Sequence, residues 1–586
     1  MPVSFFRVVA AVLFGIVLFF LGLCAAVYVK WGQAPSVKKD SILVLNLGGP
    51  FPEYPAGGFT SGLLADPFPS IHSVREQLVK AAVDERVRGV LLVVDRPGAG
   101  YAGLDEMRSG IRKVREAGKP VWAWSDFVDL KGLYLASACD SFFVHPTGYT
   151  FLGGMYVERT YVAGTLEKLG IEPQFARVES YKSAVETFTR KDMSPQDREM
   201  TGWLLSDIYP RVTRTIAEGF NPPLRPVSDP SPMMPEISAI VAAMERTVMH
   251  AGDLVGFGLA DGAREWDQMR DALPRAKGDK KPRLLAASTY EQVPATKVGL
   301  KGKKTIAVVH AEGIIAGEES SSDPFFGLTM GYRSVNRDLQ SALDDEEVAG
   351  VILRVDSRGG DALTSDRISR MVEVVNRKKP VVASMVDVAA SGGYNIAYRA
   401  RRIVAGENTI TGSIGIYTGK VSAHDLYNKL GVTKDGLGVG PGGDFYSDYR
   451  TWTESEYAKV SRSNWDAYRM WIENIARTRK LEVSDVDSVG RGRVWTGRQA
   501  LERKLIDELG DLDAAVAAVK QEAGIDSAET VTLDHYPKPE GFLAMLLGMS
   551  PRGLPGALAD RWARDRVESW RAMQGAELQV LDLPLP

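Results

Sequence analysis

Val87–Asp95 reads VRGVLLVVD, and Val348–Asp356 reads VAGVILRVD, 261 residues further along. Both are short β-branched runs closed by an aspartate, the composition of a strand buried on both faces. The likeness extends outward from this pair in one consistent order. GKPVWAWSDFVDLKGLYLAS from Gly118 parallels KKPVVASMVDVAASGGYNIA from Lys378, and Leu169-Gly170-Ile171 parallels Leu430-Gly431-Val432. Upstream, Ile42–Gly49 (ILVLNLGG) resembles Ile306–Gly313 (IAVVHAEG). Late in each stretch, GLADGAREWDQM from Gly258 echoes KLIDELGDLDAA from Lys504. Matches that keep their order at a near-constant offset mean an internal duplication.

Within each copy, runs such as Val90–Val94, Val121–Trp124, Val351–Val355 and Val381–Met385 read as strands. Amphipathic stretches, Leu104–Glu116 and Ser365–Arg377 among them, read as helices between the strands. That alternation predicts an α/β fold built from βαβ crossovers. The basic stretch 276–304, with Pro282 and Pro294, reads as a linker between a first repeat at 40–275 and a second at 305–540. Residues 541–586 form a tail without a counterpart in the first copy; it opens with the apolar run Phe542–Met549. Trp465, Tyr468 and Trp471 recur at helical spacing and read as packing positions.

Val8–Val29 is an uncharged, mostly apolar run of 22 residues between Arg7 and Lys30. About 20 residues cross the hydrocarbon core, whereas the apolar part of a cleaved signal is about 7–15 long. Residues 1–30 therefore read as a transmembrane anchor in preference to a signal cut at Cys24-Ala25-Ala26. Cationic residues stand on both sides of the run (Arg7; Lys30, Lys38, Lys39), so charge does not orient it. The remainder has average globular composition, with 45% hydrophobic and 25% charged residues and a net charge of −3. That balance lacks the basic excess of a nucleic-acid-binding chain. The two cysteines, Cys24 and Cys139, cannot make a disulfide framework, and Cys139 reads as a small buried residue. The six histidines show no HExxH or His/Cys spacing, so no metal site is expected from the sequence.

The copies differ where chemistry would sit. The second has Ala389-Ala390-Ser391-Gly392-Gly393-Tyr394, where the first has Asp129-Leu130-Lys131-Gly132-Leu133-Tyr134. The first has Glu179-Ser180-Tyr181-Lys182-Ser183-Ala184, where the second has the glycine-rich stretch at Gly440-Pro441-Gly442-Gly443. Each copy thus keeps one half of a Ser/Lys pair. A serine hydroxyl needs a base to become a nucleophile, and a neutral lysine can serve. Burial depresses a lysine pKa by several units, which supplies the neutral amine without any histidine. Glycines after the serine, and Ser357-Arg358-Gly359-Gly360 after the preceding strand, could turn backbone amides toward a tetrahedral oxyanion.

With the anchor, the two copies, YKSAVE and DMSP from Tyr181, AASGGY from Ala389, TGSIG from Thr411 and VWTGRQA from Val494, the chain resembles the long, duplicated form of the signal peptide peptidase A family. The resemblance covers essentially the whole chain. It implies two tandem ClpP/crotonase-like domains behind one transmembrane helix, and a serine endopeptidase with a Ser–Lys dyad. Carried over by motif, Ser391 is the nucleophile and Lys182 the general base, Gly359 and Gly392 the oxyanion donors, and Ser413 the residue that orients the lysine amine. Lys191 is the rival base. The family implies no cofactor or metal, residual signal peptides and other unfolded chains as substrates, a homotetramer, and a body outside the cytoplasm of a bacterial cell. The chain departs from the family pattern at Asp356-Ser357-Arg358, where Asn-Ser-Pro is expected; two charges then stand beside the presumed oxyanion hole. Two other classes compete: an inactive membrane scaffold of the same fold, and a crotonase-type acyl-CoA enzyme, which would need a nucleotide site and carboxylate acid/base groups.

Overall fold

The computed structural model describes residues 35–55, 69–220, 237–323 and 327–538, with three isolated positions, Phe14, Gly15 and Gly22. The segment 8–29 expected to cross a membrane lies, but for those three positions, outside the described residues, as does the tail from 539. Among the described residues no helix is long and apolar enough to cross a membrane.

The first copy runs β1 (Ser41–Gly49), α1 (Ile71–Val83), β2 (Val87–Pro97), α2 (Tyr101–Glu116), β3 (Val121–Asp129), α3 (Leu130–Ala136), β4 (Ser141–Leu152), β5 (Glu172–Arg177), α4 (Pro195–Phe220), β6 (Thr247–His250) and β7 (Arg283–Ala286). Its sheet has the order β6-β4-β3-β2-β1-β7, with a two-residue strand, Gly262–Ala263, added on β4. All pairs from β4 to β7 along this path are parallel; β6 alone is antiparallel. The second copy runs β8 (Lys304–Glu312), α5 (Tyr332–Asp344), β9 (Val348–Ser357), α6 (Ala362–Asn376), β10 (Val381–Ala390), α7 (Gly392–Ala397), β11 (Ile410–Gly412), β12 (Tyr417–Ser422), α8 (Glu454–Arg479), β13 (Val494–Thr496), α9 (Leu512–Glu522) and β14 (Val531–Tyr536). Its sheet repeats the plan as β13-β11-β10-β9-β8-β14. The strand read first in the sequence is central in both sheets, and Val90–Leu92 and Val351–Leu353 are fully buried. Each such side chain is worth about 1.5–3 kcal/mol in burial, which is why a strand covered on both faces carries no polar alternation.

The stretch read as a linker departs from that reading. Arg283–Ala286 adds β7 beside β1, in the place β14 takes beside β8. RLLA is too short, and too crowded by basic residues, to give a strand signal of its own; pairing with β1 supplies the order. Trp465, Tyr468 and Trp471 lie on α8, with Tyr468 fully buried and both tryptophans packed against the core. Cys139 is fully buried, as its reading as a small core residue expects.

The two copies are fused. Val386, Val388, Ala390, Ile410 and Val494 of the second join the hydrophobic core of the first. The Asp387 carboxylate accepts the N–H groups of Gly100 and Gly103, at 2.7 Å each, capping α2 from the other copy. A side chain at Gly100 would meet that carboxylate at about 2.4 Å, so the contact requires glycine. Buried Arg354 of the second copy bridges Glu53 at 2.7 Å and Glu106 at 2.8 Å in the first. Finally β5 pairs antiparallel with β12, from Glu172↔Ser422 to Arg177↔Tyr417, so one strand of each copy makes a shared ribbon.

Candidate active site

That ribbon delivers the lysine. Beyond β5 the chain keeps its contact with the second copy through Val178 N–H to the Ile416 carbonyl, at 2.9 Å. Four residues on, Lys182 turns its side chain into the space between Ser391 and Ser413. Its carbonyl accepts from Arg177 Nη1 at 3.2 Å, and that same guanidinium pairs with the buried Glu186 at 2.9 Å. Two glycines make room for it: a Cβ on Gly492 would lie 2.4 Å from the Lys182 backbone nitrogen, and one on Gly415 3.4 Å from Lys182 Cδ.

Ser391 sits where β10 gives way to α7, at φ 55° and ψ −117°. Few non-glycine residues hold a positive φ, and such strain persists where surrounding structure fixes it. Here Ser391 N–H donates to the Gly412 carbonyl at 2.9 Å. The turn presents the hydroxyl to Lys182, whose Nζ lies 2.9 Å from Ser391 Oγ, 2.8 Å from Ser413 Oγ and 3.0 Å from the Ser413 carbonyl. Lys182 is 1% exposed. Burial alone pulls its pKa from the usual 10.5 down to about 7. Neutral amine is thus available near neutrality, with two N–H donors and one lone pair. Ser413 offers two acceptors, its hydroxyl and carbonyl oxygens, which leaves the lone pair to receive the Ser391 proton.

The glycines divide. Gly359 adopts φ +95°, and a Cβ there would fall 2.5 Å from Gly392 N, so the loop after β9 packs directly on the serine turn. Its N–H, however, donates to Ser357 Oγ at 3.1 Å. The expectation that Gly359 supplies an oxyanion donor is therefore not met by this arrangement, because its amide is engaged within its own loop. Gly392 N–H opens α7 and has no intrahelical acceptor. The two charges that interrupt the family pattern have different surroundings. Asp356 accepts from Val388 N–H at 3.0 Å, and burial with the nearby Asp387 carboxylate pushes its pKa well above the usual range, favouring the neutral acid. Arg358 is exposed.

Lys191 is 69% exposed and paired with Glu167 at 2.7 Å, which removes it as a base for Ser391. Lys131 is half-buried on α3, and its charge faces Asp129 and Asp387. Its expected one-for-one exchange with Ser391 shifts by a position. The β3 bulge passes over one residue, Asp126, where β10 passes over two, Val386 and Asp387, so Asp129 aligns with Ala390. Arg177 and Gly492 escaped the sequence reading, and Gly415 entered it only as the end of TGSIG, since nothing in their local patterns shows that they meet Lys182. Gly492→Ala is expected to lower kcat/KM about 10²-fold without unfolding the chain. The new methyl displaces Lys182, and an error of about 1 Å in a catalytic group costs that much. Peptide cleavage assays alongside far-UV circular dichroism check it; unchanged cleavage by the variant would show that Lys182 placement tolerates the shift.

The family model for peptidase family S49 matches residues 113–228 and 373–526. The chain is similar to the chloroplastic serine protease SPPA of Arabidopsis thaliana, 32% identical over 517 residues, 87% of this chain and 73% of that one. It is 31% identical over 458 residues to Protease 4 of Haemophilus influenzae, covering 75% of this chain and 71% of the relative. A putative signal peptide peptidase SppA of Enterococcus faecium matches at 28% over 262 residues, 44% of this chain but 75% of that one.

Proposed function

The chain belongs to peptidase family S49 and is a serine peptidase, and from that premise we propose that it cuts peptide bonds with a Ser391–Lys182 dyad formed inside one chain. The observation that carries this reading is the buried Lys182 amine 2.9 Å from Ser391 Oγ, held by both oxygens of Ser413. Neutral Lys182 takes the hydroxyl proton as Ser391 Oγ attacks the scissile carbonyl carbon. The tetrahedral oxyanion forms beside Gly392 N–H. Lys182 then gives its proton to the leaving amine, which departs with the C-terminal fragment and leaves an ester on Ser391. The same amine, neutral again, deprotonates the water that hydrolyses the ester.

The substrates we propose are signal peptides left in the membrane and other unfolded chains, reached by a body anchored through residues 8–29 on the extracytoplasmic side of a bacterial membrane. The length and hydropathy of that run support the anchor, and the name of the Enterococcus relative supports the substrate class. Assembly as a homotetramer belongs to the same proposal.

The test is the pH profile of cleavage of a fluorogenic apolar peptide by the detergent-solubilised full chain. Activity should rise with pH through a limb near 7, where Lys182 loses its proton. A limb there overlaps the histidine range, so its position alone does not assign it. Ser413→Ala separates the cases: it removes one acceptor from the Lys182 amine, so the limb should move and kcat fall, whereas a histidine base would ignore the change. A limb that stays in place in Ser413→Ala would refute lysine as the base.

A further inference from the structure

Three of the six histidines, unremarkable in the sequence, meet where the copies join. His72 lies in the first turn of α1, His310 on β8, and His535 on the neighbouring strand β14. His310 Nε2 is 2.9 Å from His535 Nδ1, and one ring nitrogen from each of the three falls within 4.8 Å of the others. The His72 ring lies 4.1 Å from the His535 ring, centroid to centroid, and stands nearly edge-on to His310 at 5.5 Å. Tyr54 stacks on His310 at 4.0 Å and closes one side.

The surroundings are those of a ligating set. His310 is buried, and its Nδ1 has no hydrogen-bond partner, although Glu53 Oε1 stands 3.6 Å away. A carboxylate beside the outer nitrogen is what orients a metal-bound imidazole. Glu76 lies 3.4 Å from His72 Nε2, a carboxylate beside that ring as Glu53 is beside His310. Arg75, Arg354 and Lys538 also face the cluster, so long-range charge does not favour a cation, and direct ligation has to.

We propose that His72, His310 and His535 form a site for one divalent transition ion of the zinc class, tying the first copy to the second. Imidazole nitrogens without thiolates suit zinc, cobalt, nickel or copper, and do not suit calcium or magnesium. At bond lengths of about 2.0–2.1 Å around a tetrahedral ion, the His310 and His535 nitrogens need move apart by only a few tenths of an ångström. The site is separate from the Ser391–Lys182 pair and does not rest on the catalytic reading.

The full chain, stripped with a chelator, is titrated with Co2+ and separately with Zn2+. Expected are about one equivalent bound per chain, a visible Co2+ spectrum of the four-coordinate nitrogen type, and a thermal midpoint that rises with Zn2+. His72→Gln and His535→Gln, at half-buried positions chosen to preserve folding, should each weaken binding at least about tenfold. Ser391→Ala should bind as the unchanged chain does. A folded chain, judged by circular dichroism, that binds neither ion stoichiometrically would overturn the proposal. So would binding left unchanged by both histidine variants, which would place the ion elsewhere.

Discussion

Ser391→Ala and Lys182→Met, made singly in the full chain, should each remove about 10³-fold or more of kcat/KM, the scale seen when one member of a nucleophile–base unit is lost. The losses should not add in the double variant, because each residue is useless without the other. The two differ in stability. An unfolded lysine holds its proton to about 10.5, the native Lys182 only to about 7. Between those values the unfolded chain binds more protons, so this group makes stability rise with pH across the window and costs most below pH 7. At about 1.4 kcal/mol per pH step of one, that cost is on the order of 4 kcal/mol at neutrality. Lys182→Met removes it and leaves Ser413 without its donor, for a net gain of a few kcal/mol at pH 7 that shrinks toward pH 10.5. Urea unfolding at three pH values measures it. A variant both inactive and more stable is the signature of a group held in its site for chemistry. If instead Lys182→Met were less stable at every pH and still cleaved peptide, the amine would be a structural residue.

The duplication was readable because its strands are long β-branched runs whose copies diverged slowly at buried positions, as at Val90–Leu92 and Val351–Leu353. The pairing of Lys182 with Ser391 was readable only through motifs; no local pattern shows that the β5–β12 ribbon carries a residue of one copy into the other. The direction of the Gly359 amide was out of reach as well, since a glycine pair fixes permitted dihedrals but not which neighbour accepts its N–H. β7 and the histidine cluster share one cause. Spacing rules see residues a few positions apart on one element, whereas Arg283–Ala286 is ordered by β1, and His72, His310 and His535 lie on three separate elements.

Arg354→Ala should cost about 3–5 kcal/mol of stability, because it leaves buried Glu53 without its arginine and Glu106 with Arg75 alone. Arg354 and Glu53 are each 1% exposed at the side chain, and Glu106 is 5% exposed. Burial pushes Glu53 upward, yet Arg354 and His310 outweigh it and hold the carboxyl at about 2. Its contribution is therefore present above the usual value of 4.5 and lost as pH falls through 2. Glu106 runs the other way: burial raises it despite Arg354 and Arg75, so its ionisation is a cost that the network offsets. Because the arginine comes from one copy and both carboxylates from the other, the loss falls on the joint that brings Lys182 to Ser391. Arg354→Ala should therefore lose cleavage at a urea concentration below that of global unfolding. Combining Arg354→Met with Glu53→Gln and Glu106→Gln should recover most of the stability, since a buried ion set replaced by neutral groups of similar volume is often neutral in effect. Arg354→Ala unfolding at the unchanged midpoint, with cleavage intact up to it, would show that the ribbon and the shared apolar core hold the dyad together without these ions.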